Sequence, residues 1–308
     1  MAYVAAPVPL TLVSTSVAAP SAESPAIAPW AAGSTYSIGD TVTALVPVTG
    51  GTSLVHVYES LQDSNIGNDV ASVAWWLDLG PSNHHAMFDS KTGTVTEDSE
   101  SIVVTVAPNN YFDTIAIVRL EGVTTVNIAV HLGETELYSV DFDTREEVTN
   151  WFDYYFGDIS AIRGSLVVRP EIFYATATVT VTLTGTGTVG CGLFMIGRSS
   201  DLGQSLFGAS ISIEDYSTKE TDDFGNTYLL ERDYADSIDV EMVLDTSQAR
   251  TIKRILASYR ATPALYNFNN DTGDDDESLI LFGKYDDFSI TMEYSTKSYC
   301  SGRFISIL

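Results

Sequence analysis

Apolar and polar residues alternate in short stretches along most of this chain, a period of two that predicts β-strands. Leu54–Glu59, Ser101–Val106, Thr114–Leu120, Thr125–Val130, Leu166–Val168, Ala177–Leu183 and Ala209–Ile213 are such stretches. Thr35–Val42 reads as a turn at Gly39-Asp40 leading into a further strand. Pro108-Asn109-Asn110, Glu121-Gly122 and Gly185-Thr186-Gly187 supply turn chemistry between strands. Ser278–Phe282 and Phe288–Tyr294 read as strands flanking a hairpin, and Arg303–Leu308 as the closing strand. The period changes once. Ala249, Ile252, Ile255, Leu256 and Tyr259 recur at helical spacing, with Asp245-Thr246-Ser247 placed to cap the helix and Pro263 to end it.

The pattern divides the chain into four segments. Residues 1–29 hold Pro7, Pro9, Pro20, Pro25 and Pro29, which argue against helix or central strand and for an extended arm. Tyr3-Val4 and Leu10-Thr11-Leu12-Val13 make that arm too apolar for a solvated tail, so it is expected to pack on a neighbouring subunit. Residues 30–83, with a Gly50-Gly51 turn and Trp30, Trp75 and Trp76, read as a small β-module with a largely aromatic core. Residues 84–203 read as a jelly-roll β-sandwich, one end plugged by Trp151–Phe156. Residues 204–308 read as an α+β assembly domain, mostly sheet with one helix. The expected fold class is therefore mainly β.

Composition narrows the function classes. Hydrophobic residues are 44% and aromatics 11% of the 308 residues, enough to bury substantial cores. The formal net charge is −26 and the first Lys or Arg is Lys91, which argues against adhesion to nucleic acid, where cations must displace counterions from phosphates. The acidity serves ordinary solubility; the sharper alternative is a negative conduit along which DNA slides without sticking. Cys191 and Cys300 lie far apart in sequence and in no metal-like cluster, so two free thiols are expected. Residues 1–29 lack a basic n-region and no stretch of about 18 apolar residues occurs, so neither a secretory signal nor a membrane span is expected.

Two resemblances add to this reading. Trp30, Thr35, Tyr36, Gly39, Asp40, Val42, Tyr58 and Trp75 follow a pattern of aromatic opening, Thr-x-Tyr-x-x-Gly-Asp-x-Val turn and strand, Tyr and closing Trp. In this the segment resembles the small chitin- and cellulose-binding modules of bacterial chitinases. Longer stretches, Tyr58-Glu59-Ser60-Leu61 with Gly67-Asn68-Asp69, Trp76–Asn83, Ala86-Met87-Phe88-Asp89, Lys219–Asn226 and Ser298-Tyr299-Cys300, resemble poorly characterised tail-associated proteins of tailed bacteriophages. That likeness implies a virion location, in the tail, after assembly in the host cytoplasm. It also implies a structural role as ring, collar or adaptor, with copies of the chain itself and tube, nozzle or fibre proteins as partners. The alternative is a receptor-recognition protein that grips host-surface polysaccharide.

Glycan binding calls for flat rings stacked on sugar faces, and Trp30, Tyr36, Tyr58, Trp75 and Trp76 are the rings available. If Trp75 and Trp76 share a strand they point to opposite faces. Asp271, Asp274 and Asp276 lie around Gly273 and are the weak candidates for a hard cation, though they lack EF-hand spacing and read more simply as a solvated hairpin tip. His84-His85 reads as linker, and His56 and His131 as isolated. Asp141, Asp143 and Asp153 stand beside aromatics as in glycosidases, a coincidence expected among 41 acidic residues. Gly-x-Ser-x-Gly, a phosphate-binding Gly loop and His-Glu-x-x-His are absent. No enzyme and no cofactor are expected.

Overall fold

A computed structural model describes residues 1–22, 26–47, 52–145, 151, 155, 163–170, 174–221, 224, 226–269 and 277–307. The chain is mainly β, as the period-two pattern predicts. It divides into two compact units, Val8–Ile196 and Met1–Pro7 with Gly197–Leu308. In chain order the strands begin with β1 (Ala2–Pro7), β2 (Thr11–Thr15), β3 (Thr35–Tyr36), β4 (Thr41–Val46), β5 (Leu54–Ser60), β6 (Asn65–Ile66) and β7 (Trp76–Pro81). They continue with β8 (Thr96–Ala107), β9 (Thr114–Leu132), β10 (Thr135–Asp143), β11 (Ser165–Val168) and β12 (Thr178–Ser205). The last are β13 (Ser210–Asp215), β14 (Thr218–Thr221), β15 (Thr227–Leu230), β16 (Tyr234–Asp245), β17 (Ala264–Asn267), β18 (Ile280–Thr291) and β19 (Lys297–Ser306). The one described α-helix, α1 (Ala249–Ser258), joins β16 to β17.

In the Val8–Ile196 unit, β8 pairs with β2 and β12, and β9 lies beside β12. Ile102, Val104 and Val106 alternate inward on β8, and Val179, Val181 and Leu183 answer them on β12. The strands expected at Thr114–Leu120 and Thr125–Val130 are one strand. Glu121-Gly122 is a kink in β9, not a turn: residues before it pair with β11 and residues after it with β10. Gly185-Thr186-Gly187 is likewise a register shift inside β12. The two sites explain each other, because Gly122 and Gly185 meet backbone to backbone, where a Cβ on either would collide with Thr188 or Gly122.

In the other unit β1 lies between β12 and β17, so Ala2–Pro7 is a central strand of this chain's own sheet, which corrects the expected extended arm packed on a neighbouring subunit. Pro7 stands at the strand's last position, and only Ala2–Ala5, whose N–H groups are intact, are buried within it. Much of the apolar surface assigned to a neighbouring subunit is covered by the chain itself: Ala2, Val4 and Ala5 have no exposed surface, and Leu10 and Val17 are buried in the other unit, while Val13 stays exposed. The sheet continues β17–β18–β19–β16–β13, and β16 also pairs with the end of β12. Tyr266, Phe268 and Phe304 stack in its core, with centroids 4.6 and 4.7 Å from Phe304. Ile252 and Leu256 of α1 join them. A 3-10 turn at Thr246–Gln248 leads into α1 without the expected side-chain cap, and Asp245 bonds Lys297 at 2.8 Å instead. Ser278–Phe282 and Phe288–Tyr294 are not two strands around a hairpin; most of both lie in β18, whose irregularity at Tyr285/Asp287 keeps one strand in register with β19.

Candidate functional site

The five rings considered as candidates for sugar are gathered in one place. β4, β5 and β7 form an antiparallel sheet, and β3 pairs with β6 beside it. Val42, Tyr58 and Trp76 are buried at the centre, and Trp30, Tyr36 and Trp75 pack against them half-buried. The rings are held in different ways, and the indole N–H of Trp30 is buried without a hydrogen-bond partner among the described residues. Trp76 is 2% exposed and its indole N–H donates to the Asn68 carbonyl at 3.0 Å. Tyr36 presents its ring edge-on to Trp76 at 5.2 Å, while its hydroxyl accepts from the Ala31 N–H at 2.8 Å. Burial raises the Tyr58 hydroxyl above its ordinary pKa, and Asp78 and Asp69 push the same way. Trp75 sits in the turn before β7, so the strand rule that sends neighbours to opposite faces does not govern it, and both tryptophans turn to the same cluster. The large side chains this module exposes are aliphatic: Ile38, Leu45, Ile66, Val73, Leu77 and Leu79.

His56, read as isolated, lies near His84-His85, read as linker. His56 Nδ1 is 3.0 Å from both carboxylate oxygens of Asp78, and Asp78 also accepts the Gly80 N–H at 2.8 Å. His84 and His85 meet edge-on at 4.7 Å. Burial, with His84 and His56 adding repulsion, pushes His85 down to about 4. Ser82 Oγ lies 3.4 Å from His85 Nδ1, the far limit of a hydrogen bond, and the carboxylate nearest a histidine is held by His56. Among the described residues no three His, Cys, Asp or Glu side chains are grouped to hold a metal ion. His131 is 3.9 Å from Glu136.

The carboxylates considered for hydrolysis are committed elsewhere. Asp143 grips Arg145 at 2.8 and 3.0 Å and is lowered to about 2 by those hydrogen bonds. Asp141 accepts from Asn127 at 2.8 Å. Asp153 and the cation candidates Asp271, Asp274 and Asp276 lie outside the described residues, as do the Gly50-Gly51 turn and most of Trp151–Phe156. Both thiols are free and buried; desolvation pushes Cys191 up to about 12 and Cys300 up to about 11.

One surface escaped the sequence reading. β14 and β15 form a two-stranded hairpin, and Tyr228, Leu229 and Leu230 of β15 are 61, 78 and 52% exposed. Beside it in the chain, Ile211 and Ile213 of the sheet's terminal strand β13 are exposed too, as are Phe207, Tyr216 and Tyr234. The apolar run Tyr228-Leu229-Leu230 between polar stretches was the available signal, but without alternation it predicted no strand face. No helix among the described residues is long and apolar enough to cross a membrane. No protein-family model and no curated protein matches the chain.

Proposed function

We propose that this protein is a structural component of a bacteriophage tail, a ring, collar or adaptor that joins the tube or nozzle to fibres or peripheral proteins. The family part of this reading comes from the motif resemblance; its assembly part is carried by one observation, the exposed apolar hairpin β14–β15 beside the terminal strand β13. A two-stranded hairpin is marginal in water unless its side chains pack on something, and β15 has no buried residue. A terminal strand with open N–H and C=O groups invites pairing, and β13 carries Ile211 and Ile213 where a solitary protein would place charge. Contiguous apolar surface of this kind marks a protein-binding face. A jelly-roll arrangement of residues 84–203 belongs to the same proposal.

Gold-conjugated antibody raised against the chain and applied to purified particles of the phage that encodes it tests the reading. Label on the tail is expected. Unlabelled particles, with the protein left in the particle-free lysate, overturn it.

A second reading, host-glycan binding through residues 30–83, has one observation in its favour: Trp30, Tyr36 and Trp75 keep part of their surface in solvent while Tyr58 and Trp76 are buried. Retention on chitin, cellulose or host polysaccharide that is lost in Trp75→Ala supports it, and no retention removes it.

A further inference from the structure

The distribution of cations in this acidic chain is uneven. Residues 246–270 hold Arg250, Lys253, Arg254 and Arg260 and no Asp or Glu. Arg250, Lys253 and Arg254 stand at i, i+3 and i+4 on α1, forming one stripe, and all four cations are exposed. The stripe does not serve the helix. Like charges at this spacing repel, and Arg250 sits in the first turn, where the helix dipole disfavours a cation. None of the four makes an ion pair among the described residues.

The same unit carries a complementary surface. On β16, Ile238, Val240 and Met242 point into the core that α1 completes, so Asp239 and Glu241 point outward. Register places Asp239 level with Arg303 of β19, and Arg303 level with Asp287 of β18. A groove follows this outer face, lined by Ser210, Asp239, Glu241, Asp286, Asp287 and Arg303. Arg303 does not neutralise it, because its guanidinium bonds Glu214 at 2.6 Å and Ser237 at 3.2 Å. Four carboxylates thus stay uncompensated on a sheet face that no element of the described chain covers.

We infer that copies of this chain associate head to tail, the cationic face of α1 in one copy docking on the carboxylate-lined outer face of β16, β18 and β19 in the next. Charge complementarity selects this occupant: two chains of net charge −26 repel at most surfaces, and the α1 stripe is the dense cationic face that each copy offers. Because the two surfaces differ, the contact is heterologous, the kind that closes into a ring when the rotation between copies permits. The inference rests on the assembly reading above and adds a copy-to-copy contact distinct from the β14–β15 hairpin.

Sedimentation velocity of the full chain tests it with charge reversal. The helix variant Arg250→Glu/Lys253→Glu/Arg254→Glu and the groove variant Asp239→Lys/Glu241→Lys/Asp287→Lys should each weaken self-association about tenfold or more, since like charges then face each other. All these side chains are exposed, so circular dichroism and the melting temperature should show both variants folded. Mixing the two variants, or carrying all substitutions in one chain, should restore association, which loss of folding cannot mimic. Reversal variants that assemble like the original chain, or a folded doubly reversed chain that stays apart, overturn the inference. An original chain that remains monomeric at every concentration also overturns it, whereas the tail reading fails separately, on unlabelled particles.

Discussion

The aromatic module and the β14–β15 hairpin hold similar residues in opposite circumstances. In the module Tyr58 and Trp76 are 8 and 2% exposed, and their polar atoms are tied to the chain's own backbone and carboxylates. In the hairpin Tyr228, Leu229 and Leu230 are more than half exposed. Ring content alone therefore does not locate a binding surface; burial does. The region that looks like a sugar binder spends much of its aromatic surface on its own core, while the region with no distinctive pattern leaves apolar surface exposed.

That contrast breaks in measurable ways, the most severe being loss of β1. Deleting residues 1–7 removes a strand from between β12 and β17 together with buried Tyr3 and Val4. Each such side chain contributes about 1.5–3 kcal/mol, so with the lost ladders the deletion rivals the ~5–15 kcal/mol stability of a typical domain. The Gly197–Leu308 region should then be unfolded, as read by protease digestion and circular dichroism; a truncated chain with native resistance contradicts the central-strand assignment. Trp76→Ala comes next, at about 3–5 kcal/mol of stability in denaturant titration. It empties the centre of the module and orphans the Asn68 carbonyl.

Leu229→Ser with Leu230→Ser should behave in the opposite sense. Surface substitutions shift stability by about ±0.5 kcal/mol, so the melting temperature should hardly move while assembly is weakened. A large stability loss would show these residues belong to a core. The smallest effect concerns His85. Its folded pKa of about 4 lies below the ~6.5 of an unfolded histidine, so the unfolded chain takes up the proton first as pH falls. Its contribution is complete above ~6.5 and is lost progressively toward 4. His85→Gln should flatten the acid limb of the stability curve in that window relative to the original chain; identical limbs contradict the shift.

Fold class was legible because alternation is local, and α1 because Ala249, Ile252 and Leu256 mark a face. Strand ends were not. Glu121-Gly122 and Gly185–Gly187 have turn composition, yet Gly122 and Gly185 answer the close approach of one strand to the other, a tertiary fact absent from either local sequence. The prolines of residues 1–29 outweighed the short run Ala2–Ala5, whose neighbours β12 and β17 come from far along the chain. At the candidate site the grouping of five rings was readable from the motif. A largely aromatic core was readable too; that Trp75 and Trp76 turn to the same cluster was not, because it depends on Trp75 lying in a turn before β7. The three neighbouring histidines and the cationic stripe of α1 were visible as residues but acquire meaning only from what faces them.

The most direct test of the account is the native mass of the purified full chain beside that of the Leu229→Ser/Leu230→Ser variant. The original chain should appear at a multiple of 33.3 kDa and the variant, which keeps the α1 face and the carboxylate groove, at a smaller multiple. A single protomer mass for both, at every concentration, would contradict the claim that this unit exists to join one chain to another.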